Sequence, residues 1–408
     1  MTARRAVAAL SIRLGACLML LGVMLGAANA AKPALQCGEI SWPLWSDFKT
    51  HFVQPDGRVV DASTPQQHSS SEGQSYAMFF ALVANDRVTY DKLWRWSIDN
   101  LAGGDISANL PAWFWGRNPE GQWGVLDKNS ASDADLWFIY SLLEAGRLWG
   151  REDYIRDARS LLKNVEAQEI DELPRLGHML LPGLQGFVHP DEGLWQLNPS
   201  YQPVPVLRRL AMASPRGPWS DIAINQGKMI KAVSPKGFAP DWVSYQAKAG
   251  VKAQFIPDPT KGDKGSYDAI RTYLWAGLTS KEDPLAAPML RELYGMAAAT
   301  ELTGTPPESV DTVTGVTSGV GPFGFSAALL PYLKSLRKNK LLDTQLDRVK
   351  TLQRESVQPE KTASQQPSYY DTVLSQIGLG WLENRDQFQR TGLVKLSWNE
   401  SCRHAVTQ

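Results

Sequence analysis

The stretch NSASDADLWFIYSLLEAGRLW, Asn129 to Trp149, decides how the chain is read. From Leu136 onward its apolar residues recur at three and four positions, the period of a helix. Ser132 or Asp133 can cap that helix by accepting from a first-turn N–H. Asp135 follows in the first turn, where the helix dipole favours an ionised carboxylate. A doubly acidic helix start is common and needs no function. Two aspartates beside the Trp-rich PAWFWGRNPEGQWG (Pro111–Gly124) also suit hydrogen bonding to sugar hydroxyls.

The same period runs through nearly the whole chain. It predicts helices over about 44–52, 73–85, 89–102, 133–149, 152–169, 204–213, 219–232, 267–278, 285–301, 323–337, 339–356 and 370–384. Strong alternating strand patterns are scarce. Between the helices lie long links rich in Gly, Pro, Trp and Asn, at 103–131, 171–203, 233–266 and 302–322. Long structured loops on a helical scaffold are where function tends to sit. The polar segment 351–368 reads as a surface excursion. An all-α chain with about a dozen helices and no convincing linker suggests a single toroid of helix pairs.

The first thirty of the 408 residues form a separate unit. Arg4, Arg5 and Arg13 are followed by an apolar run from Leu14 to Ala27 and by Ala28-Asn29-Ala30. This is the layout of a secretory signal peptide with an A-x-A cleavage site. A membrane anchor is the rival, but the run is short for a span of about 20 residues. The expected division is a cleaved leader, 1–30, and one domain, 31–408. That domain is expected to have no membrane span, to be exported to the periplasm or the medium, and to be a monomer. Cys37 and Cys402 remain after cleavage and can pair in an oxidising compartment. Two free thiols are the alternative.

Lys+Arg and Asp+Glu balance at 42 each, and the leader removes bases only. The remaining chain is slightly acidic, which argues against nucleic acid as a partner and fits a neutral ligand. Fifteen tryptophans is heavy usage, and several cluster: Trp94 and Trp96, Trp113 and Trp115, then Trp123. Indoles in Gly-, Pro- and Asn-rich loops suit the flat C–H faces of sugars and lose little conformational entropy when ordered.

The five histidines are scattered, and no pattern for a metal, a nucleotide or a serine nucleophile is present. No cofactor is therefore expected. What remains is carboxylates in polar, aromatic settings. HSSSEGQSYAM (His68–Met78) holds Glu72, and Ser69 to Glu72 fits a capping box as well as a catalytic setting. GSYDAIRTYLW (Gly265–Trp275) holds Asp268 and Arg271 three apart on one helix face, where the guanidinium would keep the aspartate ionised. A surface ion pair is the plainer reading. PSYYDTVLSQIGLGW (Pro367–Trp381) and WQLNPSYQPV (Trp195–Val204) add tyrosines beside polar residues.

Taken in order, SEGQSYAM, ASDADLW, NPSY, GSYDAIR and GPFGFSAALLPYL resemble glycoside hydrolase family 8 from about Trp42 to Trp381. More narrowly, they are similar to the cellulases that accompany bacterial cellulose synthase. The resemblance implies an (α/α)6 barrel, a six-hairpin toroid with a cleft built by long loops at one end. It implies endo-hydrolysis of β-1,4-glucan (cellulose) with inversion, and a tie to the cellulose synthase complex. It makes Glu72 the general acid, Asp268 the general base and Arg271 the group that orients the base. Asp135 becomes the holder of the sugar at the scissile bond and Tyr201 its neighbour, with Trp113 or Trp115 as a stacking platform. The family pattern has a small residue where this chain has Ile139, and Ile or Met where it has Phe138. Xylan, chitosan or mixed-linkage glucan as substrate, or an inactive glucan-binding module, are the alternatives.

Overall fold

Two kinds of helix alternate along the chain, one buried on nearly every side and one buried on a single face. In α2 (Ser71–Val83) all residues but Glu72 are buried, whereas α5 (Glu152–Gln168) buries only a stripe of Tyr154, Ala158, Leu161, Leu162 and Val165. A helix apolar all round must be surrounded by protein, and a one-faced helix must cover something. The computed structural model, which describes residues 38–356, 368–399 and 402, arranges them accordingly.

The other helices are α1 (Pro43–Phe52), α3 (Arg87–Leu101), α4 (Ser132–Trp149), α6 (Val204–Ala213), α7 (Trp219–Val233) and α8 (Ala269–Leu278). They continue with α9 (Ala286–Glu292), α10 (Tyr294–Thr303), α11 (Phe323–Ser335), α12 (Asn339–Ser356) and α13 (Tyr369–Leu382). An inner ring runs α2, α4, α6, α8, α11, α13, each packed on the next. Outside it α3 covers α2, α5 covers α4, α7 covers α6, α9 covers α8, α12 covers α11 and α1 covers α13. This is the (α/α)6 toroid. The ring closes where Trp42 and Phe48 pack edge-on against Phe80 of α2, with centroids 6.4 and 5.6 Å apart. Glycines let inner helices approach closely: a Cβ on Gly277 would lie 2.2 Å from Tyr332 N, and one on Gly378 2.1 Å from Ala327 O.

One end of the ring is filled by a C-terminal hairpin, Asp386–Phe388 paired with Val394–Leu396. Phe388 stacks on Phe79 of α2 at 6.0 Å, and Tyr140 of α4 donates to Gly392 O at 2.8 Å. Beneath it the fully buried Glu144 accepts from Arg147, from Arg209 Nε at 2.6 Å and from Val394 N at 3.0 Å.

The helical reading holds with two differences. The segment expected as one helix over 285–301 is two, broken at Leu293, because Gly295 N donates to Gly237 O at 2.9 Å and its missing side chain admits that loop. The long links contain short antiparallel strands of two to five residues. Strands that short show no readable alternation. Among the described residues no helix is long and apolar enough to cross a membrane. Cys402 is buried and disulfide-bonded. Its expected partner Cys37, the expected leader 1–30 and most of the excursion 351–368 lie outside the described residues.

Candidate active site

Residues at the N-terminal ends of inner helices converge at the end of the ring away from the C-terminal hairpin. Ser70 caps α2, its Oγ accepting from Gly73 N at 3.0 Å. The cap is therefore one residue later than a Ser69–Glu72 box requires, and Glu72 is left to turn inward. Arg271 Nη1 donates to Glu72 Oε2 at 3.0 Å. The hydroxyl of Tyr369, at the start of α13, lies 2.3 Å from where a Cβ on residue 73 would stand, so a larger residue after Glu72 would displace it.

Asp268 is the residue before α8, and Arg271 lies in that helix's first turn. Arg271 Nη2 donates to Asp268 Oδ1 at 3.0 Å and to Ser200 Oγ at 3.2 Å. One guanidinium, with its side chain 5 % exposed, thus bridges two carboxylates that are 24 % and 30 % exposed. Asp241 Oδ1 accepts from Ser266 N and Ala269 N, both at 2.7 Å, which fixes the turn carrying Asp268. Ser200 is held in turn by Asn198 Oδ1 at 2.7 Å, and its carbonyl accepts from Trp275 Nε1 at 2.8 Å.

Asp133 completes the cluster, with Oδ2 3.8 Å from Arg271 Nη2 and its side chain 4 % exposed. Burial, followed by the charge of the neighbouring Glu72, holds its carboxyl well above the usual carboxylate range. The sequence offers Ser132 or Asp133 as a helix cap, but the residue before α4 is Ala131 and no side chain caps that helix.

Asp135, expected to hold the sugar, does not reach the cleft. It is 0 % exposed. Burial, then the charge of Glu169, raises its carboxyl, and burial pushes Glu169 up to about 7. Ser130 Oγ donates to Glu169, so this pair sits in the wall between α4 and α5. Asp133 stands where Asp135 was expected.

The aromatic candidates separate. Tyr201 has the Arg271 guanidinium 5.9 Å over its ring and packs on Trp242 at 6.3 Å, and Trp242 stacks on Phe187 at 6.0 Å. Burial and the charges of Asp133 and Asp268 hold the Tyr201 hydroxyl well above its ordinary range. Trp113 is 37 % exposed, and its carbonyl accepts from Ser71 N at 3.0 Å, next to Glu72. The ring partners of Trp115 are Trp96, Trp123 and Arg58, not the carboxylate cluster. Sequence reasoning missed Asp241 and Trp242; the only signal was their place in the Gly- and Pro-rich link 233–266.

Two carboxylates bridged by an arginine, a third carboxyl beside them and the exposed Trp113 nearby, at one end of a helical toroid, suit the hydrolysis of a glycosidic bond. Residues 23–384 match the glycosyl hydrolases family 8, and the chain belongs to that family. A protein named endoglucanase from Xanthomonas axonopodis pv. citri (strain 306) is 48 % identical over 94 % of this chain and 96 % of its own. One of the same name from Escherichia coli (strain K12) is 40 % identical over 89 % and 93 %. The solved endo-1,4-D-glucanase of Vibrio fischeri ES114 superposes with a TM-score of 0.81 at 40 % identity, covering 88 % of this chain and 99 % of that one.

Proposed function

We propose that the protein cleaves β-1,4-glucan internally, with inversion, using Glu72 as general acid and Asp268 as general base. The observation that carries this reading is the single Arg271 guanidinium donating to both carboxylates from inside the ring. Inversion needs one protonated and one ionised carboxyl group, about 6.5–9.5 Å apart so that a water fits. Arg271 spans the two, donating to each from inside the ring. Burial and the neighbouring Glu72 charge raise the Asp133 carboxyl, and we assign the delivery of the proton to the leaving oxygen to Glu72. Asp268 then takes a proton from the water that attacks the opposite face of the sugar. Asp133, with Tyr201 beside it, replaces Asp135 as the group that meets the reacting sugar, and Trp113 supplies a stacking face. The names of the similar proteins support a β-1,4-glucan chain as substrate.

The same reading includes export and a role in cellulose biosynthesis beside the synthase complex. A buried disulfide at Cys402 favours an oxidising compartment, and the layout of residues 1–30 favours secretion. The role in biosynthesis rests on the resemblance to the synthase-associated cellulases.

Glu72→Gln keeps the side-chain oxygen that Arg271 binds and removes the transferable proton. It should lower kcat on a soluble cellulose derivative by at least ~10²–10⁴-fold, the usual worth of general acid catalysis, with oligosaccharide affinity changed little. Proton NMR of fresh products should show the α-anomer first. Robust turnover by the variant, or a β-anomer burst, sinks the assignment.

A further inference from the structure

Outside the carboxylate cluster, a second concave surface lies between the C-terminal half of α3 and the hairpin Phe114–Asp127. It encloses about 670 Å³, and its lining includes Trp96, Asp99 and Asn100 of α3, with Arg58, Trp115 and Trp123. We propose that this groove binds a stretch of β-glucan chain away from the reacting sugars. The inference rests on the glucan reading of the active site and extends it.

Trp123 is 48 % exposed, an uncommon state for an indole that only has to pack. Its ring is nevertheless fixed. It stacks on Trp115 at 5.5 Å with 17° between planes, and Trp96 meets Trp115 edge-on at 5.3 Å. The Arg58 guanidinium lies over both stacked rings, 4.3 and 4.6 Å from their centroids. Arg58 is itself tied down, donating from Nε to Ser69 Oγ at 2.8 Å and from Nη2 to Gln67 O. A platform held in place before its ligand arrives loses little entropy on binding.

The chemistry around the platform matches a pyranose, with an apolar C–H face and a rim of hydroxyls. Indole supplies the flat apolar partner, and Asp99 and Asn100 supply acceptors and donors beside it. The charges mix, with Arg58 and Arg95 facing Asp56 and Asp99, so the groove suits a neutral chain rather than an anion. None of Glu72, Asp133, Asp268 or Arg271 lines it. It is nevertheless linked to them through the backbone: Ser69 pairs with Trp115, and Glu72 follows Ser69 by three residues.

Trp123→Ala tests this on the whole protein. On a long neutral soluble cellulose derivative its KM should rise about tenfold, in line with one lost stacking contact, while kcat/KM on cellotetraose stays within about twofold. In the Glu72→Gln background the same change should weaken cellohexaose binding measured by calorimetry, and Asn100→Ala should give a smaller loss. Unchanged polymer KM and unchanged affinity would overturn the groove. An equal loss on tetraose and polymer would also overturn it, because Trp123 would then serve the reacting sugars. If the parent enzyme cleaves neither substrate, the proposed function fails, and the binding arm alone decides the groove.

Discussion

Asp133 and Asp135 differ by two positions and have opposite fates. Two steps along a helix turn the side chain by roughly 200°, so one aspartate faces the centre of the ring and the other its wall. Both lie in an acidic first turn, and nothing in the local sequence says which face is inner. The local pattern therefore leaves both aspartates open as sugar contacts, with Ser132 or Asp133 as the cap. Glu72, Asp268 and Arg271 stood out through the family resemblance, because their local spacing fits a capping box and a surface ion pair equally well. The buried acid pair gives a prediction at this scale. Glu169 titrates near 7 in the fold against an ordinary 4.5, so the folded protein keeps a proton that the unfolded chain releases between those values. Stability from this group therefore falls as pH rises across that window and is flat above it. Glu169→Gln keeps an acceptor for Ser130 and removes the titration. Relative to the parent it should gain up to roughly 3 kcal/mol between pH 5 and 8, read from urea melts at both. Parallel pH dependences would refute this.

Among the elements, the outer helices announced themselves by a one-sided apolar stripe and the inner ones by apolar residues on most sides. The short strands did not, and they decide where the indoles go. The register shifts between Phe114 and Trp115, where the facing strand carries Leu126 as its extra residue. One tryptophan stays beside Glu72 and the other joins the groove with Trp123. The turn before α8 shows how a loop sets a catalytic position: Asp241, from the link before it, binds two N–H groups that flank Asp268. Asp241→Ala should cost about 1 kcal/mol, as the loss of a helix cap does, and lower kcat more than it raises KM. Asp241→Asn, which keeps the accepting oxygen, should recover most of both. If Ala and Asn behave alike in kinetics and melting, Asp241 does not position the base.

For the molecule as a whole, the two ends of the ring have different tasks. One end gathers charges that must meet solvent and substrate, and the other is sealed by the C-terminal hairpin around Glu144. That carboxylate is 0 % exposed and relies on Arg147, Arg209 and Val394 N. Arg209→Leu removes one donor and leaves a buried charge underpaired. It should destabilise the protein by about 3–5 kcal/mol, seen as a lower urea midpoint, with kcat/KM at permissive temperature nearly unchanged. A variant as stable as the parent would show that Arg147 alone suffices.

The closure of the ring between α1, α2 and α13 also bears on how the chain folds as it is made. The first inner helix waits for a neighbour that begins at Tyr369, almost three hundred residues later. Until that segment emerges, the Tyr369 hydroxyl is missing beside Gly73, and Phe48 and Phe52 of α1 lack the Tyr369 ring. Contacts this distant in sequence slow folding and leave apolar surface open to wrong association. An incomplete chain therefore has neither a closed ring nor the tyrosine beside Glu72, and the hairpin that seals the other end follows last.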